Sequence, residues 1–266
     1  MLDAYKIIIY DPAGKITRGE GGAMKVITIA SLKGGVGKTT CAVFLSQALE
    51  GLGARVLAVD LDPCPNLTDY FLRKNDINEI VDRNVRHVLI GSLRAPEAIY
   101  HTSRNVDVIP STIYLHTVSI ELAQDPGAIM RFPSAIKKLS YDYVVIDTPP
   151  YLCAELRAAL YPAHQVIVPV DQDRWTVGGY ALLSQEMTLV KKTIHTSARF
   201  NVLPNRVSQK QCEQLSAMPG WSPLKAAILR NAAVKNAANR AIPLKPETQS
   251  FEQFVFLARE IQEAGI

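Results

Sequence analysis

The sequence predicts one α/β domain built on a mostly parallel, twisted sheet with helices on both faces. Two observations carry that reading. Apolar, β-rich runs alternate with helix-patterned stretches, and the runs at 26–30, 55–59 and 143–146 lead at their carboxyl ends into a glycine-rich loop or an aspartate. The runs lie at 26–30, 55–59, 106–109, 143–146, 165–170 and 199–203, and the helical stretches at 39–52, 155–161, 176–193 and 247–264. Continuous apolar strands separated by helices are the pattern of a parallel sheet buried on both sides. Right-handed crossovers then place a ligand site outside the carboxyl ends of the strands.

At 266 residues and 48% hydrophobic content the chain supports one large core. No stretch of about 20 residues is free of charge, so no transmembrane helix is expected. The run at 7–10 is too short for a signal peptide, which places the protein in the cytoplasm. Residues 1–23 read as an N-terminal extension of unknown role that ends in Gly-Glu-Gly-Gly-Ala, and 24–266 read as one domain. Cys41, Cys64, Cys153 and Cys212 are scattered without a paired spacing, as expected of reduced thiols.

The charge is unevenly placed. Between Arg199 and Lys245 eight basic residues face one acid, Glu213, a local balance of +7 that leaves the rest of the chain at −3. Such asymmetry fits a face that meets a polyanion, and it fits a solvated basic face equally well.

The strongest chemical signal is Lys33-Gly34-Gly35-Val36-Gly37-Lys38-Thr39-Thr40, which follows the first strand and opens a helix. Glycines let the backbone turn tightly against an anion, and successive N–H groups at a helix start hold phosphates. Lys38 is expected on the β and γ phosphates and Thr39 on Mg²⁺. This makes the domain a P-loop NTPase. Two acidic motifs follow. Asp60-Leu61-Asp62 closes the second strand, and Asp147 closes the run at 143–146 before Thr148-Pro149-Pro150. A strand-end carboxylate beside the loop is placed to reach a metal ion, usually through water.

Leu32 stands where the strict motif has its first glycine, and a second lysine, Lys33, precedes the glycines. This resembles the deviant Walker A motif of the ParA/MinD family, and the likeness runs over nearly all of 24–266. Family members usually read Asn-Gln before that lysine, where this chain has Ser31-Leu32. They often read Asp-Pro-Gln-Gly-Asn where this chain has Asp62-Pro-Cys-Pro-Asn66.

The resemblance implies an ATP- and Mg²⁺-dependent switch ATPase of weak intrinsic activity that forms a homodimer with ATP. In it Lys33 crosses to the partner's nucleotide and serves hydrolysis with Lys38 and Asp62, and Thr39, Asp62 and Asp147 surround the metal. It also implies that Asn205, in Leu203-Pro-Asn-Arg-Val207, lies near the adenine, although an Asn after a strand is also an ordinary turn residue. Arg230, Lys235 and Arg240 are expected to meet DNA nonspecifically. Being five apart, Arg230, Lys235 and Arg240 cannot form one stripe on a straight helix. The expected role is positioning or segregating DNA with a ParB-like activator, the ATP-bound form residing on the nucleoid. Three relatives offer other readings. A MinD-like membrane role needs a basic amphipathic tail, but 247–266 carries Glu247, Glu252, Glu260 and Glu263 against Arg259, so no membrane partner is expected. A nitrogenase-iron-protein role needs paired cysteines, and a biosynthetic ligase would leave no mark in the sequence.

Overall fold

The computed structural model describes residues 23–123, 125 and 128–264, so the extension read at 1–23 lies almost wholly outside the described residues. Seven strands form one sheet: β1 (Lys25–Ile29), β2 (Val56–Asp60), β3 (Val106–Ile109), β4 (Tyr143–Asp147), β5 (Gln165–Val170), β6 (Arg199–Val207) and β7 (Ile228–Leu229). Their spatial order is β3-β2-β4-β1-β5-β6-β7, and every pairing is parallel. Parallel strands need crossovers, and the helices supply them. They are α1 (Lys38–Gly51), α2 (Asn66–Leu72), α3 (Ile77–Asp82), α4 (Val85–Ile90), α5 (Val118–Ala123), α6 (Arg131–Ile136), α7 (Ala154–Leu160), α8 (Arg174–Ile194), α9 (Gln209–Ser216), α10 (Ala232–Arg240) and α11 (Gln249–Glu263).

Period-two alternation sends successive strand residues to opposite faces. Ile27, Ile29, Val56 and Ala58 join α1, α2, α10 and α11 in one core, where the Phe44 and Phe254 rings lie 5.3 Å apart. Val26, Leu57, Val59 and Val144 meet α4 to α7 on the other face, and Val166, Val168 and Val202 meet α7 and α8 beside them. Several helices start on side-chain caps that accept an N–H: Asp76 for α3, Asn84 for α4, Asn231 for α10 and Thr248 for α11.

The structure departs from the sequence pattern at the end of the sixth strand and in several short helices. The pattern stops the sixth strand at 203, before Pro204, whereas β6 continues to Val207. Pro204 is the last residue paired to β5, and pairing to β7 begins at Asn205, so its missing N–H falls at the change of neighbour. A bulge follows, with Arg206 in the left-handed region at φ 60°. The pattern also shows none of α2 to α6, α9 or α10, helices of six to nine residues that leave little room to display a period, although the equally short α7 was read at 155–161.

Both borders of the sheet are blunted. Beside β3, Tyr100 and Val108 exchange two backbone hydrogen bonds of 2.8 and 2.9 Å in an antiparallel bridge, and at the other border β7 is two residues long.

At the amino end of the sheet the half-buried His164 ring accepts the Val26 N–H on Nδ1 at 3.0 Å. Burial, with Lys25 and Lys137 nearby, lowers its pKa below 6.5. A ring that must stay neutral to accept this bond stabilises the fold fully above the unfolded pKa, and that contribution drains as pH falls through the folded one. Unfolding titrations from about pH 7.5 to about pH 5.5 should therefore show wild type losing stability relative to His164→Gln, which cannot titrate. Parallel pH slopes for the two proteins would refute this.

Candidate nucleotide site

The loop between β1 and α1 turns on Gly35 (φ 72°) and Gly37 (φ 93°), conformations that L side chains rarely adopt. Gly37 is doubly constrained, since a Cβ there would stand 2.5 Å from Asn205 Nδ2. That amide, almost fully buried, donates to the Val36 carbonyl at 2.7 Å. The Arg206 guanidinium donates to the Gly35 carbonyl. The bulge in β6 thus aims two adjacent side chains at the loop and consumes its outward carbonyls, leaving its N–H groups for an anion. No side chain caps the start of α1. Open N–H groups at a helix start attract negative charge.

Lys38 is buried and donates to the Lys33 carbonyl at 3.3 Å, spanning the loop's mouth. Burial lowers its pKa, while Asp147 and Asp62 pull it back up. The two strand-end aspartates, Asp60 and Asp147, are paired across β2 and β4, both completely buried. Asp60 accepts the Asp62 N–H at 3.1 Å, the Thr68 N–H at 2.9 Å and the Thr68 hydroxyl at 2.8 Å. It is therefore consumed in holding the turn after β2. Asp62 extends from that turn, its own Oδ1 accepting the Cys64 N–H at 2.9 Å.

Asp147 differs. Its Oδ1 accepts the Thr148 N–H at 3.1 Å, but its Oδ2 is buried without a hydrogen-bond partner. Burial raises its pKa to about 7, and the nearby Asp62 adds to this, while Thr39 and Lys38 oppose it. An orphaned carboxylate oxygen beside a hydroxyl, facing a second carboxylate, is the donor set a hard divalent cation takes. The residues present fit Mg²⁺, with Thr39, Asp62 and Asp147 as the side chains that would hold it directly or through water.

Lys33 does not point into the loop. Its Nζ reaches both oxygens of Asp171 at 2.7 and 2.6 Å, and Asp173 at 3.2 Å, just beyond β5. Burial alone would raise the Asp171 carboxyl, but hydrogen bonds from Lys33, Thr176 and the Asp173 N–H hold it below its usual value. Asp171 and Asp173 escaped the sequence reading, and Arg206 was seen there only as part of the Asn-Arg pair and of the basic segment. For the aspartates the signal was present, because they too follow a strand's carboxyl end.

The structure thus gathers Lys33, Gly34, Gly35, Val36, Gly37, Lys38, Thr39, Thr40, Asp62, Asp147 and Asn205 at one edge of the sheet. Asn205, read from sequence as an adenine contact, supports the loop from beneath in this structure. Arg230 lies just before α10, where its Nε donates to the Arg206 carbonyl at 3.3 Å, and Lys235 and Arg240 lie along α10, all three exposed. The nine-residue α10 splays Lys235 and Arg240, as their spacing requires.

A family described as an AAA domain matches residues 24–200. The chain is 31% identical over 255 residues to the sporulation initiation inhibitor protein Soj of Bacillus subtilis, covering 91% of this chain and 99% of Soj. This chain belongs to the ParA/Soj family of partition ATPases. Another member, the chromosome partitioning protein ParA of Caulobacter vibrioides, is 30% identical over 254 residues, 90% of this chain and 94% of that one. Among solved structures, McdA of Cyanothece in complex with ATP superposes with a TM-score of 0.80 at 25% identity, covering 91% of this chain and 98% of McdA.

Within this family fold, Gly37→Ala is expected to cost about 1–3 kcal/mol of stability, from backbone strain and the clash with Asn205. Gly34→Ala should cost less, since nothing lies within 4 Å of a Cβ there. Denaturant titration of both variants measures the difference, and equal losses would refute the close approach of Asn205.

Proposed function

We propose that the chain is an ATP-dependent dimerising switch of the ParA type, which binds DNA nonspecifically as the ATP-bound dimer and positions or segregates it. A ParB-like partner would stimulate hydrolysis. The observation that carries this reading is the pair of lysines on one loop with different postures. Lys38 is buried across the loop's mouth, and Lys33 is held away from it by Asp171 and Asp173.

Bound ATP with Mg²⁺ would lie on the loop, its phosphates on the free N–H groups and Lys38. The metal would supply charge neutralisation for the transferring phosphoryl group. Asp62 is placed to orient the attacking water, and the strand-end position of Asp147 keeps its carboxylate fixed. Lys33 can serve a nucleotide only after leaving Asp171 and Asp173, which offset its charge. The Lys33–Asp171 pair is largely buried, so the lysine needs a replacement counter-charge when it leaves, and a second subunit's phosphates would supply it. The α11 helix bears Glu252, Glu260 and Glu263 with Arg259, a charge balance that disfavours an anionic lipid surface.

Lys33→Ala is expected to retain nucleotide affinity within a few fold and to lose ATP-dependent dimers in light scattering. Dimers of undiminished amount would refute the crossing role of Lys33. DNA affinity should require ATP and fall linearly on a logarithmic salt axis, because the contacts are to phosphates. Lys235→Glu with Arg240→Glu should abolish it while leaving the ATP dimer intact. Retention of DNA by that double variant would move the interface elsewhere, and binding to anionic vesicles in place of DNA would favour the MinD-like reading.

A further inference from the structure

From the course of its hydrogen bonds we infer that Tyr70 and Arg104 form a clamp that transmits the state of the Asp62 turn to the carboxyl end of α10. The route is continuous. The buried Asp60 fastens the Asp62 N–H and both Thr68 donors. Thr68 Oγ1 accepts the Ser111 N–H at 2.8 Å, and the Ser111 hydroxyl donates to the Asp62 carbonyl at 2.8 Å. The turn after β2 and the first turn of α2 are therefore one hydrogen-bonded unit, with Asp60, Thr68 and Ser111 all buried.

Two residues further along α2, the buried Tyr70 leaves that unit. Its hydroxyl donates to the Ile242 carbonyl at 2.8 Å, 172 residues away in sequence. The Arg104 guanidinium lies 4.6 Å over the Tyr70 ring, donates to the Tyr70 carbonyl at 3.4 Å, and donates to the Ala241 carbonyl at 2.5 Å. Ala241 and Ile242 are where α10 ends. Ala241 is the left-handed cap at φ 49°, and its N–H and that of Ile242 close the last turn on Ala238 and Ala237. A non-glycine residue in that conformation is held there by its surroundings, and here two consecutive carbonyls are gripped by α2 and by the loop before β3.

The segment leading into α10 is also tied to β6 beside the nucleotide loop. The Arg230 Nε donates to the Arg206 carbonyl at 3.3 Å, and Arg206 donates to Gly35. A rigid helix anchored at one end beside the phosphate loop and at the other to the Asp62 turn must reorient when those two anchors move relative to each other. The proposal rests on the Asp62 turn responding to nucleotide, as the switch reading requires, and it names the element that receives the response.

Amide hydrogen exchange over residues 237–242 tests it, with full-length protein carrying ADP or a non-hydrolysable ATP analogue with Mg²⁺. Wild type should show different protection in the two states. Tyr70→Phe combined with Arg104→Lys, which keeps ring packing and charge, should shrink that difference about fivefold or more, the factor for one hydrogen bond. Nucleotide affinity of the variant should stay within about twofold, as both side chains lie outside the loop and metal cluster. A merely structural clamp would lower protection equally in both states and leave the difference unchanged, which overturns the inference. Identical wild-type protection in the two states also overturns it. DNA binding measured on the same wild-type samples separates the two ideas: a nucleotide-dependent α10 without DNA binding sinks the partition reading alone.

Discussion

Two buried carboxylates side by side, Asp60 on β2 and Asp147 on β4, set the terms for the rest of this molecule. Like charges in a dry interior repel and are poorly solvated, so each must be compensated or carry a proton. Burial, followed by the proximity of Asp147, pushes the Asp60 carboxyl well above the usual range. The protein resolves the conflict asymmetrically. Asp60 receives three donors from its own chain and becomes a fastening point, whereas Asp147 keeps one oxygen unanswered. The first choice shapes the turn that presents Asp62. The second leaves a place where a cation would relieve strain in the charge balance as it binds.

That asymmetry arises from geometry as much as from chemistry. In an all-parallel sheet every strand delivers its last residue to the same edge, so aspartates from β2 and β4 and the loop from β1 converge without a dedicated scaffold. The bulge in β6 adds support from the side, since Asn205 and Arg206 both reach the loop although neighbouring strand residues normally face opposite ways. The left-handed Arg206 is what permits it. Two lysines share the loop, but only Lys38 is committed to its interior, and the other is stored on carboxylates beyond β5.

Much of this was legible in the sequence. The glycines, Lys38, Thr39 and the strand-end aspartates sit in continuous motifs whose spacing reflects backbone requirements, so local order alone places them. The sheet was legible for the same reason, because buried parallel strands are unbroken apolar runs. What escaped depended on contacts distant in sequence. The partners of Lys33 lie 138 residues away, and the support from Asn205 requires knowing that β6 continues past Pro204. The helices α2 to α6, α9 and α10 were not read because segments of six to nine residues show little periodicity, and such short helices depend on tertiary packing more than on propensity. The basic residues of α10 were visible as a charge excess, yet their exposure needed the fold.

The blunted borders of the sheet carry a separate consequence. Open strand edges on neighbouring copies of a protein can pair and zip into fibres. Here the Tyr100–Val108 bridge occupies one margin and the other is too short to template anything. Encounters between copies are thereby steered away from backbone pairing and toward side-chain surfaces.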